Sequence, residues 1–489
     1  MTISTEPLDL DTFSAAANNP VELKFSAADL ARIATSHKTV MEMAAGEEPV
    51  YGLNTGLGGN LAYRIKPEDI PGFQMAIVAG RSAACGDLLP PEVGRGILLY
   101  RIISAVSGLS GISVELFNHL CAVYEAGLAP AIPEYGSIGA SDLVQNGFFG
   151  LGVLGHGEIW RDGELVDAKT ALEDAGLTPP ELRPKEGLIL ISHSGLTVTL
   201  AARALKEATT ALDMAKVAIA LSYEGYGANQ AILAAEINEL RPAPGQAEAA
   251  AWFRDALTGS DNNPRRVQEA LSFRTVCSVI GSAEHALNEA ITVWAGECNG
   301  CSDSPAVLDT GEMKSTINFH SPALALALET VCLSFGSVAN GSVQRMFRMM
   351  TGSFSDLPHY LTPVGEGSAG LVPTQKTASI LLSEIRHAMH PVAIDTLPIA
   401  DGVEDMASMT PAAAKKLQSM TKPLHLLTGL EALSACQAIS LREPESLGKI
   451  VSEIYPAIRS QIPELTTDRQ IGTDINKATE ILKGFVDQL

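Results

Sequence analysis

Apolar residues recur at helical spacing over four long stretches of the chain: Leu196–Leu221, Ser278–Ala295, Ser321–Val338 and Thr377–Met389. Each stretch is rich in Ala, Leu and Glu, so pattern and intrinsic propensity both predict helix. The run ALALALETVCL carries apolar side chains on more than one face. Such a helix needs cover on several sides, within a subunit and inside an oligomer. Strand signals are sparse. The clearest is WRDGELV at 160–166, where an Asp-Gly pair joins two β-compatible pieces and predicts a hairpin. The expected fold is therefore mainly α, a long helical bundle with little strand. Residues rich in chemistry fall in loops before or between these helices, at 51–59, 133–142, 268–274, 365–375 and 401–409. Loops held by rigid helices commonly build active sites. A division into residues 1–195 and 196–489 is expected, although no Pro/Ser-rich linker, repeat or low-complexity tract marks it.

The chain's 489 residues, 46% of them hydrophobic, can bury a large core, and length alone allows about two to four domains. Lys and Arg number 34 against 56 Asp and Glu, a net charge of −22. That charge repels phosphate backbones and anionic lipid, so neither a nucleic-acid nor a membrane partner is expected. The start MTISTEPLDLDTF lacks a basic segment followed by an apolar run, and Arg101 and Glu329 interrupt the apolar stretches at 96–112 and 321–339. No signal peptide and no membrane span are therefore expected. Seven scattered cysteines fit reduced thiols in a cytoplasm. The Cys298-x-x-Cys301 pair reads as small buried thiols, and the ten histidines form no metal constellation. GLGVLG at 150–155 matches GxGxxG, but no strand precedes it, so it reads as a packing helix lightened by glycine.

Gly136, Ser137, Ile138, Gly139, Ala140, Ser141, Asp142 and Leu143, preceded by IPEY, carry the most specific signal. This segment resembles the loop of the histidine and aromatic amino acid ammonia-lyase family. There, Gly-Ser-x-Gly-Ala-Ser-Gly-Asp-Leu condenses internally to an electrophilic methylidene-imidazolone. Here the glycine between Ser141 and Asp142 is missing. Cyclisation needs the amide nitrogen after the serine to attack the alanine carbonyl through a compressed backbone, which glycine tolerates best. Asp142 supplies that nitrogen with a Cβ and a charge attached, so no imidazolone and no other cofactor is expected.

The resemblance extends from about residue 45 to residue 410 and implies site residues loop by loop. YGLNTGLGG is similar to the family loop whose tyrosine takes the substrate β-proton, which gives Tyr51 that role and puts Asn54 at the substrate. A phenol titrates near 10, so nearby positive charge must favour the phenolate. QEALSFR resembles the segment ending in the arginine that binds the substrate carboxylate, here Arg274, with Leu271 where the family commonly has tyrosine. A planar guanidinium suits a carboxylate. GLVPTQKTASILLSE and GVEDMASM resemble the loops that contact the substrate side chain, which singles out Gln375, Lys376 and Glu404. A lysine at 376 departs from the family pattern and implies an anionic or electron-rich group to stabilise. Arg81 stands in place of a usual histidine, Ser192, His193 and Ser194 in place of Asn-Gly-Thr, and Ser304 in place of an asparagine. These departures gather at the amine end of the substrate.

A quaternary trimethylammonium group has no lone pair with which to attack the imidazolone, and it already leaves as a neutral amine. The branch of the family without imidazolone eliminates trimethylamine from ergothioneine to give thiourocanate, and that reaction is the expectation here. The expected substrate is thus a small betaine amino acid. Its cation is placed near the degenerate loop, with Tyr135 or Phe148 as an aromatic face and Asp142 as counter-charge. The resemblance also implies a homotetramer with active sites shared between subunits. Three alternatives stay open on the sequence: a histidine-like ammonia-lyase that still cyclises, a lyase of another betaine such as hercynine, and a non-catalytic binder of imidazole metabolites.

Overall fold

The structure is a computed structural model that describes residues 1–46, 53, 55, 65, 69–261, 264, 266–365 and 367–489. Helices dominate, as expected. Three of the four predicted stretches lie inside the helices Gly195–Tyr226, Val276–Asn299 and Pro322–Met350 apart from the capping Ser321, and the fourth matches Thr374–Ala388 to within a few residues. A further long helix, Thr410–Arg442, contains Pro423. The predicted hairpin forms from Glu158–Arg161 and Glu164–Asp167, paired antiparallel. Its turn residues Asp162 and Gly163 both have positive φ, 52° and 82°. That is the conformation an Asp-Gly pair supplies most readily.

The chain divides into two compact units, each assembled from three separate pieces. The first comprises Met1–Lys206, Ile291–Leu326 and Pro391–Lys415, the second Glu207–Ala290, Ala327–His390 and Lys416–Leu489. The sequence-based expectation was a single cut at 195, which is where the helix Gly195–Tyr226 begins. In the first unit Trp294 packs edge-on to Phe13 at 5.5 Å and donates its indole N–H to the carbonyl of Val198 at 2.9 Å. GLGVLG lies largely in the helix Leu143–Val153. A Cβ at Gly152 would come within 2.9 Å of Pro130, so glycine there serves close packing rather than a nucleotide. In the second unit Tyr226 stacks on Phe273 at 4.3 Å, and a buried pair joins Arg345 to Glu431.

Glu186–Tyr226, Pro322–Met350 and Thr410–Arg442 are long and apolar enough, by length and composition, to cross a bilayer. Of the two charges read as interruptions, Glu329 lies inside Pro322–Met350, whereas Arg101 lies in a separate helix, Pro91–Val106. Protein covers 94%, 56% and 83% of their most apolar segments, which supplies the apolar surroundings a bilayer otherwise would. The least covered, Pro322–Met350, exposes Leu326 and Leu333. All seven cysteines are free, and burial pushes the Cys298 and Cys301 thiols up to about 12.

Candidate active site

The degenerate loop is held by its own polar side chains. Ser137 donates its hydroxyl to the Asp142 carboxylate at 2.5 Å and accepts the N–H of Gly139 at 3.0 Å. Gly139 has φ +78°, and a Cβ there would lie 2.3 Å from the Ser408 hydroxyl, so this position requires glycine. Ser141 and Asp142 follow with φ of 62° and 53°, two successive left-handed residues that both carry side chains. Such conformations persist only where neighbours over-determine them. The Ser141 carbonyl accepts from the His193 backbone N–H at 3.2 Å and from Asn146 Nδ2 at 3.1 Å.

Asp142 accepts two more hydrogen bonds from Thr197, the backbone N–H and the hydroxyl, both at 2.8 Å. Thr197 lies in the first turn of the helix Gly195–Tyr226, whose leading N–H groups have no partner within the helix. Asp142 thus caps a long helix from outside it. Burial pushes its carboxyl above the usual range, while Ser137 and Thr197 pull it back. Its side chain turns inward, is 1% exposed and does not line the cavity described next. Removing the carboxylate in Asp142→Ala leaves the Thr197 and Ser137 donors without it. The expected loss is about 1–3 kcal/mol of stability. An unchanged midpoint in urea unfolding would contradict this capping role.

Beside the loop is a cavity of about 470 Å³, formed entirely within the first unit. The loop contributes Ala140, Ser141 and Leu143. Arg81, the last residue of the helix Ile70–Arg81, is the one cation among the described lining residues. Ser192 ends the short helix Glu186–Ile191, and its side chain joins those of Ser304 and Ser315 in a hydroxyl-rich wall. Glu404 and Asp405 supply negative charge. Glu404 is fixed by paired backbone hydrogen bonds with Ile399, at 2.9 and 3.3 Å. Among its described lining residues the cavity therefore offers one cation, two carboxylates and hydroxyl groups to a small zwitterion.

Arg81, Ser192 and Glu404, expected at the substrate, are brought together here with Ser304. His193 is not. It is fully buried between Tyr100 and Phe149, accepts the Gly195 N–H at Nδ1 and donates Nε2–H to the Leu190 carbonyl. Burial, with Arg101 nearby, depresses its pKa to about 3. The folded state keeps this imidazole neutral while the unfolded chain protonates it near 6.5, so its contribution to stability is complete above about pH 6.5 and declines as pH falls toward 3. The slope reaches about 1.4 kcal/mol per pH unit. His193→Gln is expected to flatten the acid limb of a denaturation series run between about pH 4.5 and 7.5. Parallel curves for parent and variant would refute this.

The other expected positions fall elsewhere. Tyr135 is 61% exposed, with the Lys415 ammonium 4.8 Å above its ring. Phe148 is half-buried on the helix Leu143–Val153 and does not line the cavity. Among the described residues the phenyl ring that lines it is Phe319, beside His320. His320 pairs with Ala140 through a backbone bridge, and the Phe319 carbonyl accepts the Ser141 N–H at 3.3 Å. Sequence reasoning missed both residues. Their only signal is a polar stretch just ahead of the apolar helix Pro322–Met350, the placement shared by the other site loops. Arg274, Gln375 and Lys376 belong to the second unit. Arg274 is exposed and donates to Gln268 at 3.0 Å, Gln375 reaches the Met350 sulfur at 3.7 Å, and Lys376 is exposed on the first turn of the helix Thr374–Ala388. Tyr51 and Asn54 lie outside the described residues.

The sequence profile of the family described as aromatic amino acid lyase matches residues 8–460. The chain belongs to the aromatic amino acid lyase family. This lyase is 34% identical to histidine ammonia-lyase of Salmonella heidelberg, over 99% of this chain and 97% of that protein. It is 32% identical to histidine ammonia-lyase of Deinococcus radiodurans, over 96% and 91%. Among solved structures, ergothionase from Treponema denticola, crystallised with desmethyl-ergothioneine sulfonic acid, superposes with a TM-score of 0.95 and 30% identity, covering 99% of both chains. Histidine ammonia-lyase from Trypanosoma cruzi gives 0.91 and 28%, covering 99% of this chain and 94% of that one. The ammonia-lyase fold expected from the sequence is thus the observed one, and membership supports a carbon–nitrogen lyase.

Proposed function

We propose that this lyase eliminates trimethylamine from ergothioneine to give thiourocanate, without an imidazolone. The observation that carries the reading is the Asp142 lock. Its carboxylate is tied to Ser137 and Thr197, and the Ser141 carbonyl is tied to His193 and Asn146. An imidazolone would require the Asp142 nitrogen to close on the Ala140 carbonyl carbon. That closure would displace a side chain held by three hydrogen bonds, at a position where the family uses glycine. The likeness to the Treponema denticola ergothionase structure supports the same reading.

The elimination then runs on this chain's own groups. Arg274 binds the carboxylate through its guanidinium. Tyr51, as phenolate, takes the β-proton. The electron pair of that C–H bond forms the new double bond, and the C–N pair leaves with trimethylamine. Lys376 stabilises charge spread into the thioimidazole as the proton departs, an electrostatic contribution of about 3 kcal/mol for a well-placed donor. Glu404 orients Lys376 or accepts a ring N–H. Arg81 and Ser192 stand where family members that release ammonia hold the amine. We place the enzyme in the cytoplasm as a homotetramer with shared active sites.

The 34% identity to histidine ammonia-lyases favours one competing reading, an enzyme that cyclises and releases ammonia from histidine. The two separate in one experiment. Purified protein is given ergothioneine, hercynine and histidine in turn, the conjugated acrylate is followed in the near ultraviolet and the released amine by mass spectrometry. Trimethylamine from ergothioneine with an intact unmodified mass is the expected result. Ammonia from histidine, with a mass short by two waters, would replace it with the competing reading. Trimethylamine from hercynine alone would move the substrate to that betaine, and silence with all three would favour a binding protein.

A further inference from the structure

Within the second unit two loops meet beside the helix that carries Lys376. Residues 358–365 and 367–372 precede the helix Thr374–Ala388, and residues 462–471 connect Lys449–Gln461 to Gly472–Val486. The first loop has a costly backbone. Tyr360 and Leu361 both hold φ of 56°, a region that disfavours residues bearing a Cβ. Gly370 has φ +53°, and a Cβ there would lie 2.6 Å from the Tyr360 carbonyl oxygen. Backbone of this kind needs support from outside the loop.

Two side chains provide it. Gln437 is buried on the helix Thr410–Arg442 and donates Nε2 to the carbonyls of Leu361 at 3.2 Å and Leu465 at 3.3 Å. Its Oε1 accepts the Leu465 N–H at 3.0 Å, which ties the two loops together. Asp468, in the second loop, reaches across to the first. Its Oδ1 accepts from the Ser368 hydroxyl at 2.6 Å and the Gly370 N–H at 3.0 Å, and its Oδ2 accepts the Ala369 N–H at 2.9 Å. Successive backbone N–H groups in such a turn form a concavity suited to an anion, and here a carboxylate of the same chain fills it. The Ser368 hydroxyl and the two N–H groups hold the Asp468 carboxyl below its usual range. It is therefore ionised at neutral pH.

Hydrogen bonds continue from this latch to Lys376. The Leu371 N–H donates to the Tyr360 carbonyl at 2.9 Å. Thr374 donates both its N–H and its hydroxyl to the Leu371 carbonyl, at 3.0 and 2.6 Å. The Lys376 N–H then donates to the Pro373 carbonyl at 3.2 Å. We infer that Asp468 is a positioning residue for Lys376, latching residues 368–370 so that the first turn of the helix Thr374–Ala388 presents its ammonium in one place. The inference rests on the catalytic role given above to Lys376. Asp468 lies beyond every motif that the sequence offered, and its role here is to hold the loop that leads to Lys376.

The test compares Asp468→Ala and Asp468→Asn in the parent and in a Lys376→Met background, using ergothioneine turnover and hydrogen exchange of the 365–376 segment. Asp468→Ala is expected to lower kcat about tenfold with little change in KM, because a small displacement of a catalytic group weakens its action in the transition state. Asp468→Asn keeps the shape but turns an amide donor toward an N–H or hydroxyl donor, so its loss is intermediate. It carries the comparison if the alanine variant folds poorly. In the Lys376→Met background neither change should lower kcat further, since residues acting as one unit are not additive. Unchanged kcat in Asp468→Ala, or a full further tenfold loss on top of Lys376→Met, would overturn the inference. A protein inactive on ergothioneine would instead sink the proposed reaction. Exchange then decides the latch: faster exchange confined to 365–376 in Asp468→Ala retains it, and unchanged exchange removes it.

Discussion

Lys376→Met is expected to lower ergothioneine turnover by about 10²–10³-fold while leaving the unfolding midpoint nearly unchanged. The lysine is exposed on the first turn of its helix, so its removal leaves no cavity and no buried polar group behind. Methionine keeps the length of the stem and deletes the charge. The effect should fall on kcat more than on KM, because the ammonium answers charge that develops only as the β-proton leaves. Lys376→Arg should recover little, since a planar fork with its charge spread over three nitrogens places that charge differently from a compact ammonium. Steady-state kinetics on the three proteins check this. Unchanged turnover in Lys376→Met would remove the lysine from the mechanism and leave Arg81 as the cation to examine next.

The largest loss of stability is expected from Asp303→Asn. Arg101 and Asp303 form a fork-to-fork pair, Nη1 to Oδ1 at 3.1 Å and Nη2 to Oδ2 at 3.0 Å, with both side chains at most 2% exposed. Burial alone would raise the Asp303 carboxyl, but the Arg101 guanidinium and the Lys185 ammonium outweigh it and hold the group below its usual range. Lys185 is itself buried, and its pKa falls to about 8. Asparagine in place of Asp303 leaves Arg101 charged, dry and unpaired, which costs about 3–5 kcal/mol. The pair's contribution is complete above the unfolded carboxyl's pKa near 3.9 and is lost as pH falls through the lower folded value. Urea unfolding at neutral pH should show the full effect. Because Asp303 directly precedes Ser304 in the cavity wall, activity should fall with stability. A variant as stable as the parent would mean that the fold relaxes to hydrate Arg101.

The helices were legible in the sequence because burial imposes a period of 3.6 on a covered helix, and the runs from Leu196 and Ser321 carry it strongly. Their ends were less legible. Pro322–Met350 continues past Val338 through polar residues such as Ser342 and Arg345, which are buried by partners that only the fold supplies. The hairpin was legible to its turn, because Asp162 and Gly163 adopt positive φ at low cost. Periodicity and hydropathy do not by themselves distinguish lipid from protein as the cover for an apolar helix; burial within the fold supplies that information.

By itself the sequence determined the family, the helical fold and the loops from which the site is made, since each depends on local spacing and on glycine, serine or aspartate at particular positions. It also singled out Asp142, whose place directly after Ser141 is a covalent fact. The tertiary structure decided which way that side chain turns. Adjacent residues share an address in the chain, yet Ser192 lines the cavity while His193 is sealed between Tyr100 and Phe149. Phe319 and His320 enter the site through backbone pairing with Ala140 and Ser141, far away in sequence. The two compact units are likewise each gathered from three distant pieces. Such long-range pairings leave no periodic trace, because they follow from the hydrogen bonds and packing available only after the helices have come together.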